Sequence, residues 1–141
     1  AHSYAQNLVT QVAQSLCTEN PNQLEKLFSS YAREQVSELS TQADTLIQAW
    51  RGENFTIESI ALSGSEYRSG IKRTQWQTIA ATVITESATY RLHIRLVHRS
   101  SAGLSHLGLQ YIAVSDGNVP VQISDDAFGI MVFPAVMGGA A

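Results

Sequence analysis

At 141 residues, 44% hydrophobic and 15% charged, the chain is long enough to bury one self-sufficient core without a disulfide or a metal. Its net charge of −3 argues against the strongly basic surface of a nucleic-acid binder, and no run approaches the ~18 apolar residues of a membrane-spanning helix. The single cysteine, Cys17, leaves no intrachain disulfide, and Ala1-His2-Ser3 lacks both Met and a leader-type apolar region, as expected of a mature or trimmed product.

The first segment repeats at helical spacing, with Ala5, Leu8, Val9, Val12, Ala13 and Leu16 on one stripe behind Ser3 as N-cap. Cys17 closes that stripe and reads as a small buried hydrophobe, since no local cation favours a thiolate. Asn20-Pro21 stops the helix, and Asn22 with Glu25 predicts a capped start for a second one carrying Leu24, Leu27 and Phe28. A short turn over 32–39 leads to a helix capped by Ser40, with Ala43, Leu46, Ile47 and Trp50 on one face and Gly52 at its end.

After Gly52 the period falls from 3.6 to 2. Residues 55–63 predict a weak strand, and 72–85, 88–99 and 104–114 predict long ones rich in Thr, Val, Ile, Tyr and Trp. The short breaks between them require antiparallel neighbours. Setting Thr85 opposite Ala88 and Arg99 opposite Leu104 sorts the two faces. One collects Ile79, Ala81, Val83, Tyr90, Leu92, Ile94, Leu96, Leu107, Leu109, Tyr111 and Ala113 as an apolar surface for the helices. The other collects Thr74, Trp76, Thr78, Thr82, Arg91, His93, Arg95, Val97, Arg99, Leu104, His106 and Gln110. Asp116-Gly117 is a turn, residues 119–123 predict an edge strand weakened by Pro120, and the apolar tail from Phe128 to Met137 is expected to dock on the body. The expected division is a domain over 1–118 and a C-terminal extension over 119–141 that docks on it.

The fold class is therefore α+β, with N-terminal helices packed on a curved antiparallel sheet, and this order resembles the nuclear-transport-factor-2-like (cystatin-like) superfamily and its cone. Four segments resemble an uncharacterised domain of that fold found in bacterial surface lipoproteins. They are Asn22-Gln-Leu-Glu-Lys-Leu-Phe-Ser-Ser30, Leu46-Ile-Gln-Ala-Trp-Arg-Gly52, Thr89-Tyr-Arg-Leu-His-Ile94 and Leu107-Gly-Leu-Gln-Tyr-Ile-Ala-Val114. The likeness spans about residues 3–114 and implies an exported or cell-surface bacterial location. The wider superfamily holds isomerases and dehydratases with acid/base groups between helices and sheet, and many non-catalytic binding domains.

Few residues carry chemistry. His2, His93, His98 and His106 have no i, i+4 helical pair and no zinc-type spacing, so neither a metal nor a cofactor is expected. No nucleophile elbow ties Ser, His and Asp together, and Ser63-Gly64-Ser65 reads as a turn. His98 is the one acid/base candidate, at the rim of the inner face beside Gln75 and Ser105, although that face offers it no carboxylate partner. Tyr90, Tyr111 and Gln77, with Gln75 and His98, would line a ligand pocket there.

Charge separates the halves. Residues 1–66 hold acids at 19, 25, 34, 38, 44, 53, 58 and 66 against three bases, whereas Arg68, Lys72, Arg73, Arg91, Arg95 and Arg99 face only Glu86. Trp76, Val97 and Leu104 among Arg91, Arg95 and Arg99 make the outer sheet face a contact surface, suited to an acidic partner or a homodimer. The leading expectation is a non-enzymatic domain that binds a small molecule or a protein. The alternatives are a small-molecule isomerase or dehydratase using the helix–sheet pocket, and an assembly module that dimerises through its sheet.

Overall fold

The computed structural model describes residues 3–117 and 121–133. Four helices come first: α1 (Ser3–Cys17), α2 (Pro21–Lys26), α3 (Ser30–Gln35) and α4 (Leu39–Ala49). Five strands follow, β1 (Phe55–Ser69), β2 (Lys72–Thr85), β3 (Thr89–Ser100), β4 (Gly108–Asp116) and β5 (Gly129–Val132), in sheet order β1-β2-β3-β4-β5. The first three pairings are antiparallel and β5 joins β4 in parallel. The chain is an α+β protein with its helices at the N-terminal end.

The helix stripes form as the spacing predicts, but two caps differ. Asn20 is the N-cap of α2, its side chain accepting from Gln23 N at 3.2 Å, because Pro21 at the first turn is pre-set for a helix and needs no donor. Glu38 is the N-cap of α4, without a side-chain bond, and the Ser40 hydroxyl instead donates to Glu25 Oε1 at 2.7 Å, tying α4 to α2. The turn expected after α2 is the short helix α3, capped by Ser29, whose Oγ accepts from Ala32 N.

The first strand is longer than its sequence suggests. Ser63-Gly64-Ser65 is not a turn: Ser63, Gly64 and Ser65 pair with Thr78, Gln77 and Trp76 in mid-strand. The hairpin turns at Gly70-Ile71, where Gly70 has φ +62 and Ile71 is 97% exposed. A two-residue loop with positive φ at its first position calls for glycine there.

The β2–β3 register is the expected one from Ile84 opposite Thr89 to Trp76 opposite Val97. Thr85 builds that turn: its Oγ accepts from Ser87 N and Ala88 N and donates to Arg51 O at 2.7 Å. The β3–β4 register differs. Leu92 faces Val114 rather than Tyr111, because the connection contains a 3-10 turn at Leu104–His106 and reaches β4 only at Gly108. An odd displacement exchanges faces, so Ile112 and Val114 enter the core, and Tyr111 and Ala113 point to the outer face. A bulge at Arg95/Leu96 then returns Leu109 to the core side, and another at Gln75/Trp76 sets Arg99 opposite Gln75, out of step with Arg95 and Val97.

The core lies between helices and sheet. Val9, Val12, Leu16, Leu24 and Leu46 meet Ile79, Val83, Leu92, Ile94, Leu109, Ile112 and Val114, all essentially inaccessible. The expected edge strand over 119–123 is not formed at 121–123, and 119–120 lie outside the described residues. β5 takes the edge instead, its Ile130 N donating to Gln42 Oε1 at 2.8 Å. Of the expected docking tail, Phe128–Phe133 lies on the body and 134–137 lie outside the described residues.

Leu92→Ala and Leu109→Ala should each cost about 2–5 kcal/mol, the range for buried leucine truncations. Ile71→Ala, at the exposed hairpin tip, should cost under about 0.5 kcal/mol. Denaturant melts of the three variants check the contrast.

Candidate functional site

The predicted pocket residues do not converge. Tyr90 is on the core side, stacked on Trp50 with ring centroids 4.2 Å apart, and its hydroxyl accepts from Arg51 N at 2.9 Å. Burial raises its pKa, against the weaker opposing effect of that bond. It braces the end of α4 to the sheet. Trp50 Nε1 in turn donates to Cys17 Sγ at 3.4 Å, and burial raises the Cys17 pKa despite that bond, which makes the thiol a packing group. Tyr111 is on the opposite face from Tyr90.

Gln75 and His98 do meet, in an open depression of about 390 Å³ lined also by Gly64, Glu66 and Trp76. His98 is exposed, at the residue the bulge leaves without a ladder partner on β2. The carboxylate that the sequence reading found lacking is present, because β1 extends far enough to bring Glu66 opposite Gln75. Glu66 is engaged by Arg68 Nε at 3.0 Å, by Arg73 and by Gln75. Desolvation pushes its pKa up, but the bonds from Gln75, Arg68 and Arg73 outweigh it and the net shift is down.

The outer face is not the open surface its composition suggests. Residues 124–128 cross it as a strap. Arg95 is buried there, its NH2 2.9 Å from Asp125 Oδ1 and its NH1 donating to Asp125 O at 3.3 Å. Its guanidinium lies over Trp76 and Tyr111, 5.1 and 5.4 Å from the ring centroids. Gln110 Nε2 donates to Asp125 O and Ala127 O, both at 2.9 Å. Val97 is buried and Trp76 half-buried, while Arg91, Arg99 and Leu104 remain exposed. The sequence marks Asp125 by no pattern, so the cover is legible only in three dimensions.

A second, narrower recess opens beside the strap. It measures about 170 Å³ and is lined by Ser29, Tyr31, Thr74, Val97, His106, Gln110 and Phe128. Tyr31 stacks on His106 at 4.0 Å, and Phe128 meets Tyr31 edge-on at 5.8 Å. Gly108 makes this meeting close, since a Cβ there would stand 2.8 Å from Ser29 N; its φ of +126 also suits glycine. Leu109 N donates to Leu27 O and Ser29 N to Leu109 O, which fixes the start of α3 against β4. The strand pattern puts Thr74, Val97, His106 and Gln110 on one face, but no spacing in the sequence brings Ser29, Tyr31 and Phe128 to it.

Among the described residues no cluster of three or more His, Cys, Asp or Glu could hold a metal, and no helix is long and apolar enough to cross a membrane. Residues 11–119 match the family described as a domain of unknown function, DUF5104, and the chain belongs to that family. A search of curated proteins finds no match.

Two groups set the expected pH response. His93, half-buried on β3, is held below its ordinary 6.5 by burial first and the Arg91 charge second. The unfolded chain therefore takes up that proton first, so His93 contributes stability above 6.5 that is lost as pH falls from there toward the folded value. Glu86, whose carboxylate accepts from Glu53 N and Asn54 N, lies below its ordinary 4.5, so its contribution is lost at lower pH still. His93→Gln should flatten the limb just below pH 6.5 and leave the lower one, as stability curves against pH will record. Asp125→Ala leaves the buried guanidinium short of its carboxylate and should cost about 1–3 kcal/mol in a neutral-pH melt.

Proposed function

We propose that this chain is a non-enzymatic binding domain of an exported bacterial protein, taking a small molecule or a protein partner. One observation carries the reading: the two groups best placed for acid–base chemistry, His98 and Glu66, both stand in water. Proton-transfer sites depend on tuned pKa values in partly dry surroundings. The Glu66 shift is downward and its carboxylate is committed to arginines, the reverse of what makes a carboxyl an acid near neutrality. Among the described residues, apolar side chains from helices and sheet pack together in the space where the wider superfamily places its catalytic groups. The likeness to the nuclear-transport-factor-2-like fold and to surface lipoproteins supports the location, on the four segments that carry it.

An isomerase or dehydratase is the second reading, favoured by the single fact that Glu66 lines the same depression as His98. Homodimerisation across the outer face is a third arrangement, and it requires the strap at 124–128 to lift from Arg95 and Val97.

A thermal-shift screen of small metabolites tests the binding reading. A ligand at about a hundred times its Kd stabilises by ~2.7 kcal/mol, so a bound compound should raise Tm and no product should form. His98-dependent turnover of any stabilising compound would overturn the proposal.

A further inference from the structure

We propose that the recess between α3, β4 and the strap is a binding site for one small, uncharged aromatic ring carrying a hydrogen-bonding group, of the size of phenol. The inference deepens the binding-domain reading and rests on it. An apolar cavity of ~150 Å³ is known to accept benzene, and this recess measures about 170 Å³. The space therefore admits one ring with a small substituent. Its walls suit a ring: Tyr31, His106 and Phe128 offer faces and edges, and Val97 closes the floor side with methyl groups.

The polar lining selects among rings. Ser29 Oγ already caps α3, and the Gln110 amide already holds two strap carbonyls. Among the described residues of the lining, the Thr74 and Tyr31 hydroxyls and the His106 ring nitrogens carry no side-chain hydrogen bond, so they are the groups left to meet a substituent. Among the described residues no Asp, Glu, Lys or Arg side chain lines the recess, which favours an uncharged ligand. The strap supplies Phe128 as one wall, and Arg95 and Gln110 hold that wall in place.

Phenol titrated into the whole chain, followed by amide and aromatic NMR shifts, tests the site. Saturable shifts at Tyr31, Thr74, Val97, His106 and Phe128 are expected, with Kd on the order of millimolar. Benzene should bind more weakly. Thr74→Val, nearly isosteric, should weaken phenol about fivefold, the loss of one hydrogen bond, and leave benzene unchanged. Absence of saturable shifts, shifts centred on Gln75 and His98 instead, equal binding of phenol and benzene, or an unaltered affinity in Thr74→Val would each overturn the assignment. A failed phenol titration removes this site and leaves the broader reading standing. His98-dependent turnover removes the broader reading and leaves the recess intact.

Discussion

The dry contact between one face of the sheet and the helical stripes is the constraint from which the rest follows. Ile79, Val83, Leu92, Ile94, Ile112 and Val114 must all lie on the same side, and each is inaccessible under α1, α2 and α4. Side chains in a strand alternate strictly, so a change of one residue in pairing would turn an apolar row toward water. The bulge between β3 and β4 accommodates this demand. At Arg95/Leu96 the added residue lets β4 keep Leu109 in the core as well as Ile112 and Val114, which plain alternation does not allow.

That accommodation decides the character of the opposite face. Tyr111, turned outward, joins Trp76 as a second ring beside Arg95, and a buried cation between rings requires a counter-charge. Asp125 provides it from the strap. The parallel placement of β5 makes the strap necessary, because the chain leaving β4 must travel back before pairing in the same direction. A contact surface by composition is thus partly an internal surface by topology.

The two concave features differ in kind for related reasons. The depression at His98 forms where the long hairpin projects, so its titratable groups stay hydrated and its charges pair with one another. Exposed pairs of that sort contribute little to stability. The recess at Tyr31 forms where the start of α3 is held by Gly108 and Leu109 and the strap by Gln110. Three successive residues of one strand fix its walls. Rigid aromatic walls with few unspent polar groups are the ordinary makings of a small-molecule site.

The sequence by itself determined the α+β class, the apolar stripes of α1 and α4, the bounds of β2 and the register of β2 on β3. These are local facts: periodicity settles the element type, and Thr85 with a two-residue break settles the turn. The length of β1 escaped because Ser63, Gly64 and Ser65 carry turn propensity that pairing with β2 overrides. Only the tertiary structure decided the face of Tyr111, the partner of Arg95, the carboxylate beside His98 and the recess at Tyr31. Each depends on contacts between residues distant in the chain, and on bulges that have no signature in composition. The reason is physical: periodicity reports which side of an element avoids water, whereas a site is set by which elements meet and in what register.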